Sequence, residues 1–161
     1  MTLALFGLAG ILQSVLAPYV NFNQVHPNFV FVLVLVWSFI KDLKEVLLWA
    51  LWGGFILDML TDAPFGLFTF SLLMTAVLAS FWHNKFFGHL VLPILLALPY
   101  TVIFNLFVLI QLRLSSYPIP WVNVMTQIVF PEAMINLVVM ALVLPLLVWL
   151  NKFTQKGDLT I

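Results

Sequence analysis

GGFILDMLTDAPFGLF, residues 53–68, sets two aspartates, Asp58 and Asp62, four positions apart in a chain that is 64% hydrophobic and 7% charged. A carboxylate inside an apolar helix is costly unless it reaches water or a partner. The reading of this stretch therefore decides where the membrane-crossing helices begin and end. Upstream of Asp58, Gly54 and Ala50 recur at helical-turn intervals, so Ala50, Gly54 and Asp58 share one helix face. Small residues at that spacing let a second helix approach closely. The face is a candidate for partner binding or for helix packing; the plainer alternative is that Asp58 ends its helix at the water boundary. Asp62 stands before Ala63-Pro64-Phe65-Gly66. Aspartate favours the N-cap, and proline favours the first turn, where no backbone donor is lost. Asp62 is thus expected to cap the next helix, with Pro64 and Gly66 inside its first turn.

The composition explains why a membrane is invoked at all. Soluble domains run at about 45–50% apolar and about 25% charged residues, and a chain of 161 residues lacks the interior volume to hide so large an excess. A spanning helix needs about 20 mostly apolar residues. Six segments qualify, at about 2–19, 27–40, 44–60, 64–82, 88–112 and 129–150, giving an all-α polytopic membrane protein with a single transmembrane domain. The first lacks a basic leader and is expected to be retained as a span. Residues 121–150 are too long for one straight span, and Pro131 interrupts them, so a kink or a short interfacial helix over 122–130 is expected there.

Orientation follows from the basic residues. With six spans, Lys41, Lys44, Lys85, Lys152 and Lys156 all fall on one side and Arg113 alone on the other. The positive-inside rule then makes both termini cytoplasmic. Asp58, Asp62, His26, Arg113 and Glu132 are placed toward the outer face, and Arg113 is expected to pair with Glu132, Asp58 or Asp62.

The catalytic inventory is short. The chain has no cysteine, which excludes thiol catalysis and thiolate metal sites, and its formal net charge of zero gives no nucleic-acid footprint. No phosphate-binding loop, dinucleotide fingerprint or nucleophile elbow is present. His26, His83 and His89 lack a zinc-like spacing. No enzyme activity, cofactor or metal is expected. The remaining polar groups within the spans are Gln13, Ser14, Asn105, Gln127, Glu132 and Asn136, with Glu132 and Asn136 one turn apart on a shared face. Their ordinary role is hydrogen bonding between helices, at about 0.6 kcal/mol each.

The opening stretch resembles the signature of the rod shape-determining MreD family, roughly G-x-x-x-D-L-x-x-x-x-x-x-G-L/V. Gly54, Asp58, Leu60, Gly66 and Leu67 fit, and Met59 stands where leucine is commoner. HPNFVFVLVLVW, residues 26–37, resembles the family's lead into its second span; Gln13 matches a glutamine often found in the first; NLVVMALVLPLLVWLNKF, with Asn136 and Pro145, is similar to the closing helix. The family often has glycine or another small residue where Asp62 stands. The resemblance implies a multi-pass protein of the bacterial inner membrane with no catalysis of its own. It would bind the bitopic protein MreC directly and act with MreB, RodA and the elongation penicillin-binding protein to organise lateral peptidoglycan synthesis and rod shape. It also implies a fold similar to the S-components of energy-coupling-factor transporters. Ala50, Gly54, Asp58 and Gly66 would then build the site that receives MreC, with the same small-residue face as a candidate homodimer seam. The alternative function is a vitamin-uptake S-component, which requires a ligand cavity with converging polar side chains.

Overall fold

The computed structural model describes residues 25–82 and 91–157, with side chains through Trp149. The expected first span, with Gln13, and the connection carrying Lys85 lie outside the described residues. Apart from an isolated bridge at Val25, every regular element among the described residues is helical: α1 (Phe29–Ile40), α2 (Leu43–Leu60), α3 (Leu67–Ser80), α4 (Val91–Leu114), α5 (Trp121–Val124), a π-helical turn (Met125–Val129) and α6 (Phe130–Gly157). Two stretches, Val91–Leu114 and Trp121–Trp149, are long and apolar enough to cross a membrane. Helices α1 and α3 are apolar but shorter, and α2 carries Lys44, Glu45 and Asp58 within its 18 residues.

Helix α1, FVFVLVLVWSFI, is apolar on every side, the pattern of a helix surrounded by others. Nine of its twelve residues are buried, and it packs against α2, α3, α4 and α6. Asn28 starts it as N-cap, its side chain accepting from the Phe31 amide at 3.0 Å. Phe31 lies 5.0 Å from Phe104 of α4, which stacks in turn on Phe68 of α3 at 6.4 Å. On α3 the buried side sets Ser71, Thr75, Ala76 and Ala79 beside Leu67 and Leu72. Ser71 and Thr75 each donate to the carbonyl four residues back at 2.8 Å, so neither hydroxyl is orphaned in the apolar core.

The fourth expected span starts later than its sequence suggests. Pro64 sits in the turn, its carbonyl accepting from Leu67 N–H, and α3 begins at Leu67. Gly66 is the N-cap rather than a first-turn residue, with φ 93°, a left-handed conformation that no continuing helix can include.

Helical geometry runs on through Pro131. The amide of Phe130 reaches back five residues to Met125 O, so a wider π-turn sits directly before the proline. Proline lacks the N–H and its ring crowds the carbonyl four residues back; the wider turn absorbs both defects, and helical geometry continues from Trp121 to Gly157.

Candidate functional site

Two polar constructions stand out in this apolar frame. The first joins α2 to α3. Asp58, on the last turn of α2, is 4% exposed. Its Oδ2 accepts from Gly66 N at 3.0 Å and Thr69 N at 3.2 Å, and its Oδ1 from Phe68 N at 2.8 Å. The Thr69 hydroxyl donates to Oδ2 as well. Phe68 and Thr69 are the second and third residues of α3, whose amides have no partner within their own helix. An N-cap side chain normally serves them; here the acceptor comes from the preceding helix. The carboxylate also faces the positive end of the α3 dipole.

Asp62 is therefore not the cap. It is exposed in the turn, and the α3 N-cap is Gly66, which has no side chain to offer. The reason is the helix crossing. Gly54, one turn before Asp58, lies so close to α3 that a β-carbon there would sit 2.3 Å from Thr69 Cα. That approach brings the Asp58 carboxylate over the first turn of α3, while left-handed Gly66 turns the chain into it. Ala50, Gly54 and Asp58 are all buried, so the small-residue face is covered by this chain's own α3. Gln111 of α4 adds a second tie to the same turn, its Nε2 lying 3.2 Å from Leu67 O and 2.8 Å from Ser71 Oγ. Sequence reasoning did not select Thr69 or Gln111. Neither has a local signature, because each meets its partner only across a helix interface.

The second construction joins α1, α4 and α6. Asn136, fully buried, accepts from the Asn28 amide at 2.9 Å and places its Nδ2 3.5 Å from both Thr101 Oγ1 and Glu132 Oε1. Asn105 Nδ2 donates to Glu132 Oε2 and to Thr101 O, each at 3.0 Å. Asn28 thus links the start of α1 to this cluster as well as capping its helix. The Asn before an apolar run is a readable cap signal; its second bond, 108 residues away in sequence, is not.

Arg113 pairs with none of the three carboxylates proposed for it. It is exposed at the end of α4, and the ion pair found among the described residues is Lys41–Glu45, at 3.8 Å across one helical turn. Glu132 faces two amides instead. Glu132 lies eleven residues, about 16 Å, along a helical path that begins at Trp121.

Among the described residues no three His, Asp or Glu side chains converge as metal ligands. The space beside Phe31, Leu35, Ser38, Leu72 and Thr75 is apolar and too small for a water molecule. What the two constructions do is hold helices: each supplies polar bonds of fixed geometry between elements whose apolar surfaces alone would allow sliding. No protein family, curated protein or solved structure gives a match to this chain.

Proposed function

We propose that this chain is a non-enzymatic scaffold of the bacterial inner membrane, with six spans and cytoplasmic termini, that binds MreC and helps organise lateral peptidoglycan synthesis. One observation carries the reading. The positions through which GGFILDMLTDAPFGLF resembles the MreD signature are those its geometry requires: Gly54 for the crossing, Asp58 for the clamp and Gly66 for the left-handed turn. A signature of this kind specifies a rigid helical hairpin rather than a reaction centre. A rigid hairpin is what a scaffold needs in order to present a fixed surface. Because the Ala50–Gly54–Asp58 face is covered by α3, MreC docks on another surface, and Asp58 acts on that surface by holding the hairpin.

Co-purification from native membranes tests the proposal. Wild-type chain should retain MreC, and Asp58→Ala at matched expression should retain less; wild-type chain that recovers no MreC, or supports rod shape equally well when deleted, overturns it. Topology is testable on the natural background, which has no cysteine. Single cysteines replacing Asp62 and Tyr117 should label from outside intact cells and one replacing Lys44 should not; the reverse pattern would invert the orientation.

A further inference from the structure

Glu132 is 8% exposed, and among the described residues no cation pairs with it. Its hydrogen bonds come from Asn105 and, at 3.5 Å, from Asn136. Asn105 differs from the rest of this cluster. Thr101 and Asn136 are fully enclosed, whereas Asn105 is half-buried at the edge of the outer face of α4. Its amide nitrogen is committed to Thr101 O and Glu132 Oε2. Its Oδ1 has no donor among the described residues. At 100° per residue, Val102 and Leu106 flank it on the outer side, continuing a face on which Leu95 and Ile110 are 51% and 47% exposed. Asn105 lies about 21 Å along the helix from Val91 and about 14 Å from Leu114. An open carbonyl at such depth, backed by a carboxyl, has no water, and among the described residues no matched group, to meet it.

We propose that Asn105, backed by Glu132, is the polar anchor of a docking face on α4 for a transmembrane helix of another protein, one that carries a cationic hydrogen-bond donor near mid-membrane. Complementarity singles out this occupant. A lipid ammonium group resides at the headgroup level, more than a dozen ångströms from Asn105 by the helix rise. A second copy related by a two-fold axis along the membrane normal would bring its own Asn105 and Glu132 to the same depth, acceptor against acceptor. Its Arg113 would stand eight residues, about 12 Å, further along the helix. A lysine or arginine on a foreign helix meets the Asn105 carbonyl directly, with the Glu132 carboxyl behind it, while Leu95, Val102, Leu106 and Ile110 supply apolar contact. The inference rests on the membrane-spanning reading above but not on the identity of the partner.

The test uses the full chain in lipid nanodiscs and a leucine-rich single-span peptide bearing one central lysine, with an all-leucine peptide as control, and reads association by energy transfer. The lysine peptide should bind wild type about three- to twentyfold more tightly than the control, the range for one interhelical hydrogen bond in a membrane. Asn105→Leu should abolish that advantage and Glu132→Gln should reduce it. Val102→Trp leaves the polar cluster untouched and should weaken the binding of both peptides, which keeps the test decisive if Asn105→Leu misfolds. Equal binding of the two peptides to wild type overturns the proposal, as does an advantage that survives Asn105→Leu and Glu132→Gln together. Self-association that changes with Asn105→Leu while the lysine advantage is absent would make the face a contact between copies and also overturn it. Failure of MreC to co-purify, with the lysine advantage intact, removes the partner assigned above and leaves the docking face standing.

Discussion

Replacing Asp58 is the most direct probe of the hairpin. In Asp58→Ala the amides of Phe68 and Thr69, and that of Gly66, lose their acceptor at a site only 4% exposed. Loss of an ordinary cap costs about 0.5–2 kcal/mol, because water takes over the freed amides. Here water has little access, and each orphaned buried donor costs about 1–3 kcal/mol. Two helix amides bound the loss at about 2–6 kcal/mol, and partial rehydration of the small void brings the expected value to about 3 kcal/mol. Asp58→Asn keeps one oxygen but removes the charge from the helix N-terminus and turns an amide donor toward other donors, for an expected loss of about 2 kcal/mol. Unfolding in mixed detergent micelles, with hydrogen exchange over residues 66–70, measures both. The Thr69 hydroxyl provides an internal control: Asp58→Ala and Thr69→Val should be non-additive, with a coupling of about 0.5–3 kcal/mol. A cost under about 1 kcal/mol for Asp58→Ala, with the Phe68 and Thr69 amides still protected, would mean that the carboxylate does not cap α3. Equal damage from Asp62→Ala would mean the same, since Asp62 is exposed and bonds no amide of α3.

Four further substitutions separate the remaining claims. Gly54→Ala forces a methyl into the backbone of Thr69 and should destabilise by about 1–3 kcal/mol or more; a cross-link spanning α2 and α3 that forms at unchanged rate would contradict the close crossing. Gly66→Ala meets no atom within 4 Å, so its cost should be conformational only, about 1–2 kcal/mol from the left-handed backbone; thermal unfolding that places it above Gly54→Ala would reverse the assignment. Asn136→Leu strands the Asn28 amide and should cost about 1–3 kcal/mol, with faster exchange at the start of α1; unaltered exchange there would remove the link. Pro131→Ala restores a backbone donor and should let the π-turn relax to α-helix, rotating residues 121–125 by about 100° against α6; spin-label distances from Val122 to α4 that do not change would show that the wide turn is held by something other than the proline.

Much was legible in the chain alone, because it depends on local composition and periodicity. The helical character follows from long apolar runs that cannot be hidden in a small soluble globule. Helix ends near residues 40 and 60 are marked by Lys41-Asp42 and by Thr61-Asp62. The shared face of Ala50, Gly54 and Asp58, and that of Glu132 and Asn136, follow from helical spacing, and the structure does set each group against another helix. Where sequence reasoning went wrong, a local rule competed with a non-local contact. Asp62-Ala-Pro has the grammar of a helix start, and it loses because left-handed Gly66 delays α3 past it. At Pro131 the expected irregularity takes the form of a π-turn, which absorbs a missing donor without ending the helix. Arg113 was matched to carboxylates by sign, yet exposed charge finds water more cheaply than it finds a buried partner.

Composition and helical periodicity are enough to establish a protein of apolar helices and to name the few polar side chains those helices must accommodate. Which groups answer them emerges from helix packing: Asp58 answers the amides of α3, Asn136 the amide of Asn28, and Asn105 the carboxyl of Glu132. The physical reason is that hydrophobic burial is non-directional and roughly additive along a chain, so composition reveals it, whereas a hydrogen bond holds only over a narrow range of distance and angle. Those distances are set by how closely two helices cross, and at Gly54 the crossing depends on a side chain that is absent.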